Sequence, residues 1–510
     1  VNTRARVPGA LLVPALAAAL ISLVPLWYLF DTATSRGLGA VIDELWRQRT
    51  LLLIWRSLAL TVAVTVSAVV IGTFCAWTVV MSGMRLRLPM LVLFSLSLAI
   101  PSYLAAFAWV SWIPGINGFV GVFIVLTFVC YPYVMLPVAA AMRGVDPLHE
   151  DVARSLGRRS SAVFFSLTLG QVRSAMTGGA LLVALYVLSD FGAVAAMRYE
   201  AFTWVIYGAY RAGFNPSRAA ILSIVLVMLA LALTVAEVSI RGRHAPNRLG
   251  GGTTRSRRRP SGGASPLVAG FISLVVIGLG VGVPVISVIA WLQRDSETTV
   301  RWSEVGTSIL TSFQIGILTS VVAVLLALPV AIFAVRYKSS LSRSLERATY
   351  VSHALPGIVV GISVVFLGVH TLRPIYQHLP LLILGQVILF LPLAVASVRS
   401  AVEQSTVGVE EVARSLGSTP VMTILRVTLP LALPGILAAG AMTMLSAVKE
   451  LPTTLLLRPT GTETLATSIW KYSSVSDYAA VAPFALALIV LAAAPVAVLT
   501  ALSATASRTS

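Results

Sequence analysis

A chain of 510 residues with 57% hydrophobic and 11% charged side chains lies far from a soluble globular domain, in which roughly a quarter of residues are charged. It carries more apolar surface than one water-soluble core can bury, so the bilayer must be the solvent for most of it. The net charge of +18 does not mark a nucleic-acid surface, because the arginines sit in short links between apolar runs, as the positive-inside rule writes them.

In chain order, apolar runs long enough to span fall at Pro8–Phe30, Ser57–Met81, Met90–Trp112, Gly118–Met142, Met176–Phe191 with some upstream residues, and Ala219–Ile240. A second series follows at Pro266–Trp291, Thr307–Val335, Ala348–Val369, Leu379–Val402, Leu431–Val448 and Tyr478–Ala501. The first run follows Arg4 and Arg6 and ends without a small-residue cleavage site, so it reads as a transmembrane helix and not a signal peptide. Basic links follow the second run (Arg85, Arg87), the fourth (Arg143, Arg154, Arg158, Arg159), the sixth (Arg241 to Arg259), the eighth (Arg336, Lys338, Arg343, Arg347) and the tenth (Arg399, Arg414, Arg426). Alternate links share a side, expected to be the cytoplasm, which places both termini inside. Residues 241–265, rich in Gly, Ser, Arg and Pro, read as a flexible basic cytoplasmic linker between a six-helix half at 1–240 and another at 266–510. The fold class expected is all-α and polytopic, with about twelve spans.

The two halves are related. DVARSLG at 151–157 recurs as EVARSLG at 411–417, an offset of 260 that also pairs Pro132 with Pro392 and Asp190 with Glu450. Pro101 pairs with Pro356 at offset 255. An even number of spans separates the repeats, so the halves are expected to insert in parallel as a pseudo-symmetric pair. The repeated element is short, polar and on the arginine-rich side. Val412 and Leu416, four apart, share a helix face. Gly417 suits a left-handed cap, and Thr419 with Pro420 suits the start of a second helix. A docking surface for a soluble partner explains such a hairpin; so does a structural leftover of duplication.

The chain has no phosphate-binding GxxxxGK[ST] loop, no HExxH and no Cys/His cluster, so neither a catalytic residue nor a metal ligand is expected. Cys75 and Cys130 lie in apolar runs and read as small buried hydrophobes.

The paired hairpins resemble the EAA loops of importer permeases driven by ATP-binding cassettes. In the second, Glu411, Val412, Ala413, Leu416, Gly417 and Pro430 follow the pattern, with Val412 in place of the first alanine. In the first, Asp151, Val152, Ala153, Leu156 and Gly157 follow it, with Asp for Glu, and Gly170 stands where proline is usual. The resemblance covers essentially the whole chain and implies the type I ABC importer permease fold in the bacterial inner membrane. It also implies two copies of an ATP-binding cassette subunit that bind ATP and Mg outside this chain, an extracytoplasmic solute-binding protein, and no nucleic acid. The stretches KELPTTLLLRP at 449–459 and SDFG at 189–192 look like those of fused ferric-iron permeases. Relatives for thiamine, 2-aminoethylphosphonate, polyamines, sulfate or molybdate share the plan, and an ion-gradient-driven secondary transporter is the rival of another class.

Two further sets stand out. Asp190 and Glu450 end equivalent spans, where acids are costly unless hydrated or paired; they read either as a pair lining an outer gate or as local helix terminators. Pro101, Pro132, Pro356 and Pro392 are candidate kinks of the central spans.

Overall fold

The computed structural model describes residues 9–35, 37–83, 86–145, 152–153, 155–211, 215–242, 266–294, 302–337, 339–405 and 407–509. No strand occurs among them. Ten helices are long and apolar enough to cross a membrane, and two bent helix pairs bring the number to twelve. Most of the linker expected at 241–265 falls outside the described residues.

One compact unit comprises Val1–Arg47, Val205–Val227 and Thr298–Val475. Its centre is a bundle of Trp302–Arg336, Leu379–Gln404 and Leu429–Lys449, with Gly9–Thr34 laid against the first of these and against Ser340–Val351 and Gly357–His370. Small residues make the packing close: Ala15, Ala18, Ala327, Ala331, Ala394 and Ala439 are all buried in its core. A Cβ on Gly435 would lie 2.5 Å from that of Ala401, and one on Gly316 would lie 2.7 Å from a Val448 methyl. In lipid, where apolar side chains gain little by leaving the solvent, such close backbone approach is what holds helices together.

The other unit comprises Gln48–Trp204, Met228–Glu297 and Ser476–Ser510. Gln48–Val80, Gly118–Arg143 and Leu169–Ser189 form the equivalent bundle. Gly72 and Gly179 both abut the middle helix, where an added Cβ would meet Tyr131 O at 2.7 Å and Val134 Cα at 2.7 Å. Val283–Leu292 and Tyr478–Thr509 complete this unit. The Trp112 indole donates to Ser287 Oγ at 2.7 Å, and Trp291 stacks on Tyr478 with ring centroids 5.0 Å apart. Each unit therefore centres on one sequence half and takes in segments of the other: the opening helix in both cases, with Val205–Val227 in the first unit and Tyr478–Thr509 in the second.

Two expected spans are not single helices. In place of Met90–Trp112 stand Arg87–Ala99 and Ser102–Trp112, bent by 93°; in place of Ala348–Val369 stand Ser340–Ala354 and Gly357–His370, bent by 107°. The breaks fall at Pro101 (ψ 147°) and Pro356 (ψ 146°), each after an extended residue, Ile100 or Leu355. Proline bars the residue before it from the helical region, so the chain turns there instead of bending gently. Pro101 and Pro356 are thus corners between helices. Pro132 and Pro392 lie inside continuous helices, Gly118–Arg143 and Leu379–Gln404.

Candidate functional site

In the second hairpin, helix Val407–Ser415 ends in a glycine-capped turn. Gly417 has φ +90°, and Ser418 N–H donates to Ala413 O at 3.1 Å, closing the orphan carbonyls of the last turn. Thr419 then caps a new helix start, its Oγ1 accepting from Met422 N at 3.3 Å, with Pro420 behind it. A π-helical turn, Ile424–Thr428, leads into the span Leu429–Lys449, and Pro430 sits in the first turn of that span.

The first hairpin repeats this design where it is described. Asp151 lies outside the described residues. Gly157 has φ +82°, and Arg158 N–H donates to Ala153 O at 3.2 Å, the counterpart of Ser418 to Ala413. A π-helical turn follows at Phe164–Thr168, again 260 residues from its twin. Such turns concentrate at functional sites. Gly170, in the place of Pro430, has open space around it.

Both hairpins present the same bare apolar pair. Val152 and Leu156 are 59% and 78% exposed; Val412 and Leu416 are 59% and 82% exposed. The two acids of the second hairpin divide: Glu411 is exposed, whereas Glu410 is buried. Sequence reasoning places Glu410 beside Glu411 at the helix start and singles out Glu411 by motif; it has no sign of the ion pair of Glu410 with Arg336, which joins positions 74 residues apart.

Asp190 and Glu450 are both buried and both cap the short helix that follows their span. Asp190 Oδ1 accepts from the amides of Ala193 at 2.9 Å and Val194 at 3.4 Å, and Ser102 Oγ donates to Oδ2. Glu450 accepts from the amides of Thr453 at 2.8 Å and Thr454 at 2.9 Å, and from Thr454 Oγ1 at 2.9 Å. Carboxylates held by backbone amides at a helix start are favoured by the helix dipole. This geometry gives both acids a local anchoring role at the end of their span.

Beside Glu450 lies a narrow crevice lined by Ser312, Ile315, Gln386, Ala447, Val448, Thr454 and Thr464. Gln386 is its centre: Thr319 Oγ1 donates to Oε1 at 2.9 Å, and Nε2 donates to Thr454 Oγ1 at 3.0 Å. The register between halves follows from Ser57 Oγ, which accepts from Phe202 N at 3.3 Å, and Ser312 Oγ, which accepts from Leu465 N at 2.8 Å. The Ser57–Ser312 offset of 255 pairs Thr319 with Val64, and the Asp190–Glu450 offset of 260 pairs Gln386 with Leu126 and Thr454 with Val194; Val64, Leu126 and Val194 are all buried and apolar. Polar side chains at these three positions belong to the second half, an asymmetry that no motif announces.

Comparison with known proteins places this geometry. The family profile of the binding-protein-dependent transport system inner membrane component matches twice, over residues 68–241 and 323–508. The chain is 34% identical over 477 residues to the Fe(3+)-transport system permease protein FbpB 2 of Haemophilus influenzae, covering 93% of this chain and 94% of that one. It is 28% identical over 244 residues to the molybdenum transport system permease protein ModB of Mycobacterium bovis, covering 45% of this chain and 89% of the relative. It is 27% identical over 188 residues to a putative 2-aminoethylphosphonate transport system permease protein, PhnV, of Salmonella typhimurium, covering 36% of this chain and 69% of the relative. With the family's domain present twice in one all-helical membrane chain, and a relative aligned over nearly its full length, the protein belongs to the inner membrane components of binding-protein-dependent transport systems, in the fused, duplicated form.

Proposed function

We propose that this chain is the translocation subunit of an ATP-driven importer, that its cargo is ferric iron, and that a separate extracytoplasmic binding protein delivers it. The observation that carries the cargo is the likeness to the H. influenzae ferric permease along both halves; the molybdenum and phosphonate relatives match less than half of this chain. ATP and Mg belong to two partner ATPase subunits, one for each hairpin, and both hairpins and both termini face the cytoplasm.

The bare side chains at 152, 156, 412 and 416 support this docking. Burying one leucine fully against a partner contributes about 1.5–3 kcal/mol, so each pair gives one subunit an apolar anchor within a larger contact. Movement of the second hairpin passes through the π-helical turn into Leu429–Lys449, whose far end is the Glu450 cap beside the Gln386 crevice. Oxygen-bearing side chains of Ser312, Gln386, Glu450, Thr454 and Thr464 share that closed crevice with Ile315, Ala447 and Val448. A cation in transit must be released, so weak contacts suit a pathway better than a tight site.

Uptake into proteoliposomes holding the chain, its ATPase and its loaded binding protein tests this. Ferric iron should enter only with ATP and all partners, and thiamine or 2-aminoethylphosphonate should not. Uptake without an ATPase would show an ion-gradient transporter instead, and robust entry of another solute with no iron signal would replace the cargo. Leu156→Glu together with Leu416→Glu should abolish ATPase recruitment while the chain still inserts.

A further inference from the structure

The inward face of the second hairpin is held by one guanidinium. Arg336, at the end of helix Trp302–Arg336, is 10% exposed in its side chain, and Glu410 is 5% exposed. Arg336 Nε lies 3.0 Å from both carboxylate oxygens of Glu410, and Nη2 lies 2.8 Å from Oε1. The same Nη2 reaches Val402 O at 3.1 Å, Ser405 O at 3.2 Å and Ser405 Oγ at 2.5 Å, at the end of Leu379–Gln404. Thr428 Oγ1, the last residue of the π-helical turn, donates to Glu410 Oε1 at 2.8 Å. One side chain therefore ties two span ends to the hairpin helix, and through Glu410 to the turn that leads into a third span.

A buried ion pair of this kind is weak evidence for stability, because both charges must be desolvated. Its fixed, forked geometry serves registration better than energy, and only arginine supplies the fork. Elsewhere on the same hairpin Val409, Glu411 and Val412 on the helix and Leu416 in the turn after it are all exposed. Neighbouring acids thus have opposite jobs: Glu411 is free to meet a partner, and Glu410 fastens the helix to the membrane segments.

We propose that Arg336 is a positioning residue that makes the second hairpin and these span ends move as one body, so that a push on the hairpin reaches the spans instead of being absorbed in the loop. This rests on the reading of the hairpin as an ATPase-coupling element. Arg336→Met alone strands a buried carboxylate, so the deciding variant is Arg336→Met with Glu410→Met, which removes both charges. In proteoliposomes with ATPase and binding protein, the double variant should recruit ATPase at the unaltered stoichiometry and hydrolyse ATP without stimulation by loaded binding protein. Solute moved per ATP should fall roughly tenfold, the scale expected when a coupling element is broken. Arg336→Lys, which keeps the charge and loses the fork, should fall between. A double variant that transports as well per ATP as the unaltered chain overturns the proposal. So does one that no longer recruits ATPase, since Arg336 would then shape the docking surface. An unaltered chain that recruits no ATPase sinks the coupling reading itself, a result distinct from either.

Discussion

Asp190 and Glu450 differ by one methylene, and the residues facing them differ to match. Ser102 donates to the shorter Asp190, whereas Gly357, its counterpart at offset 255, leaves room for the longer Glu450: a Cβ there would lie 2.8 Å from Oε1. Asp190→Glu alone should therefore crowd Ser102 and lower stability by about 1–3 kcal/mol, the usual cost of overpacking. Adding Ser102→Gly should restore most of it. Thermal unfolding of the detergent-solubilised chain reads both steps; a pair no better than the single change would break the argument. The sequence revealed the acids as equivalents because they share an offset. It hid their partners because contacts 88 residues apart leave no local pattern. The burial of Glu410 and its pairing with Arg336 were hidden for the same reason, since a motif names positions and burial depends on distant helices.

At the level of the helix, hydropathy located the spans and could not show their direction. Met90–Trp112 and Ala348–Val369 are apolar throughout, yet each turns by about a right angle at its proline, because an apolar run reports solubility in lipid and nothing of its path. The π-helical turns at 164–168 and 424–428 were equally invisible, as their residues differ little in propensity from those of an α-helix. The glycine caps were legible, since only a residue without Cβ sits easily at positive φ. Gly417→Val forces a branched side chain to φ +90° at a cost of about 1–3 kcal/mol. The hairpin should then lose its shape and ATPase binding should weaken, as measured by co-purification, while membrane insertion is unchanged. Normal co-purification would show that the cap is dispensable for docking.

Across the whole molecule, arginine placement led to the expectation of cytoplasmic hairpins, and single cysteines test it. Leu156→Cys and Leu416→Cys, in a chain with Cys75 and Cys130 replaced by alanine, should react with a membrane-impermeant maleimide in inside-out vesicles and stay unlabelled in intact spheroplasts; the opposite pattern would invert the topology. The duplication was readable from repeated words in the sequence, but the exchange of opening helices was not, because both helices are uniformly apolar and either bundle is an equally plausible home. That exchange governs biogenesis. Helix Gly9–Thr34 leaves the ribosome early, yet the surface it covers on Trp302–Arg336 is made nearly three hundred residues later. At about 5–20 residues per second the wait is roughly 15–60 s. Through that interval the helix must rest in lipid with Ala15, Ala18 and Tyr28 uncovered. For this helix, insertion therefore comes before packing, and the units can close only once the second half has been made.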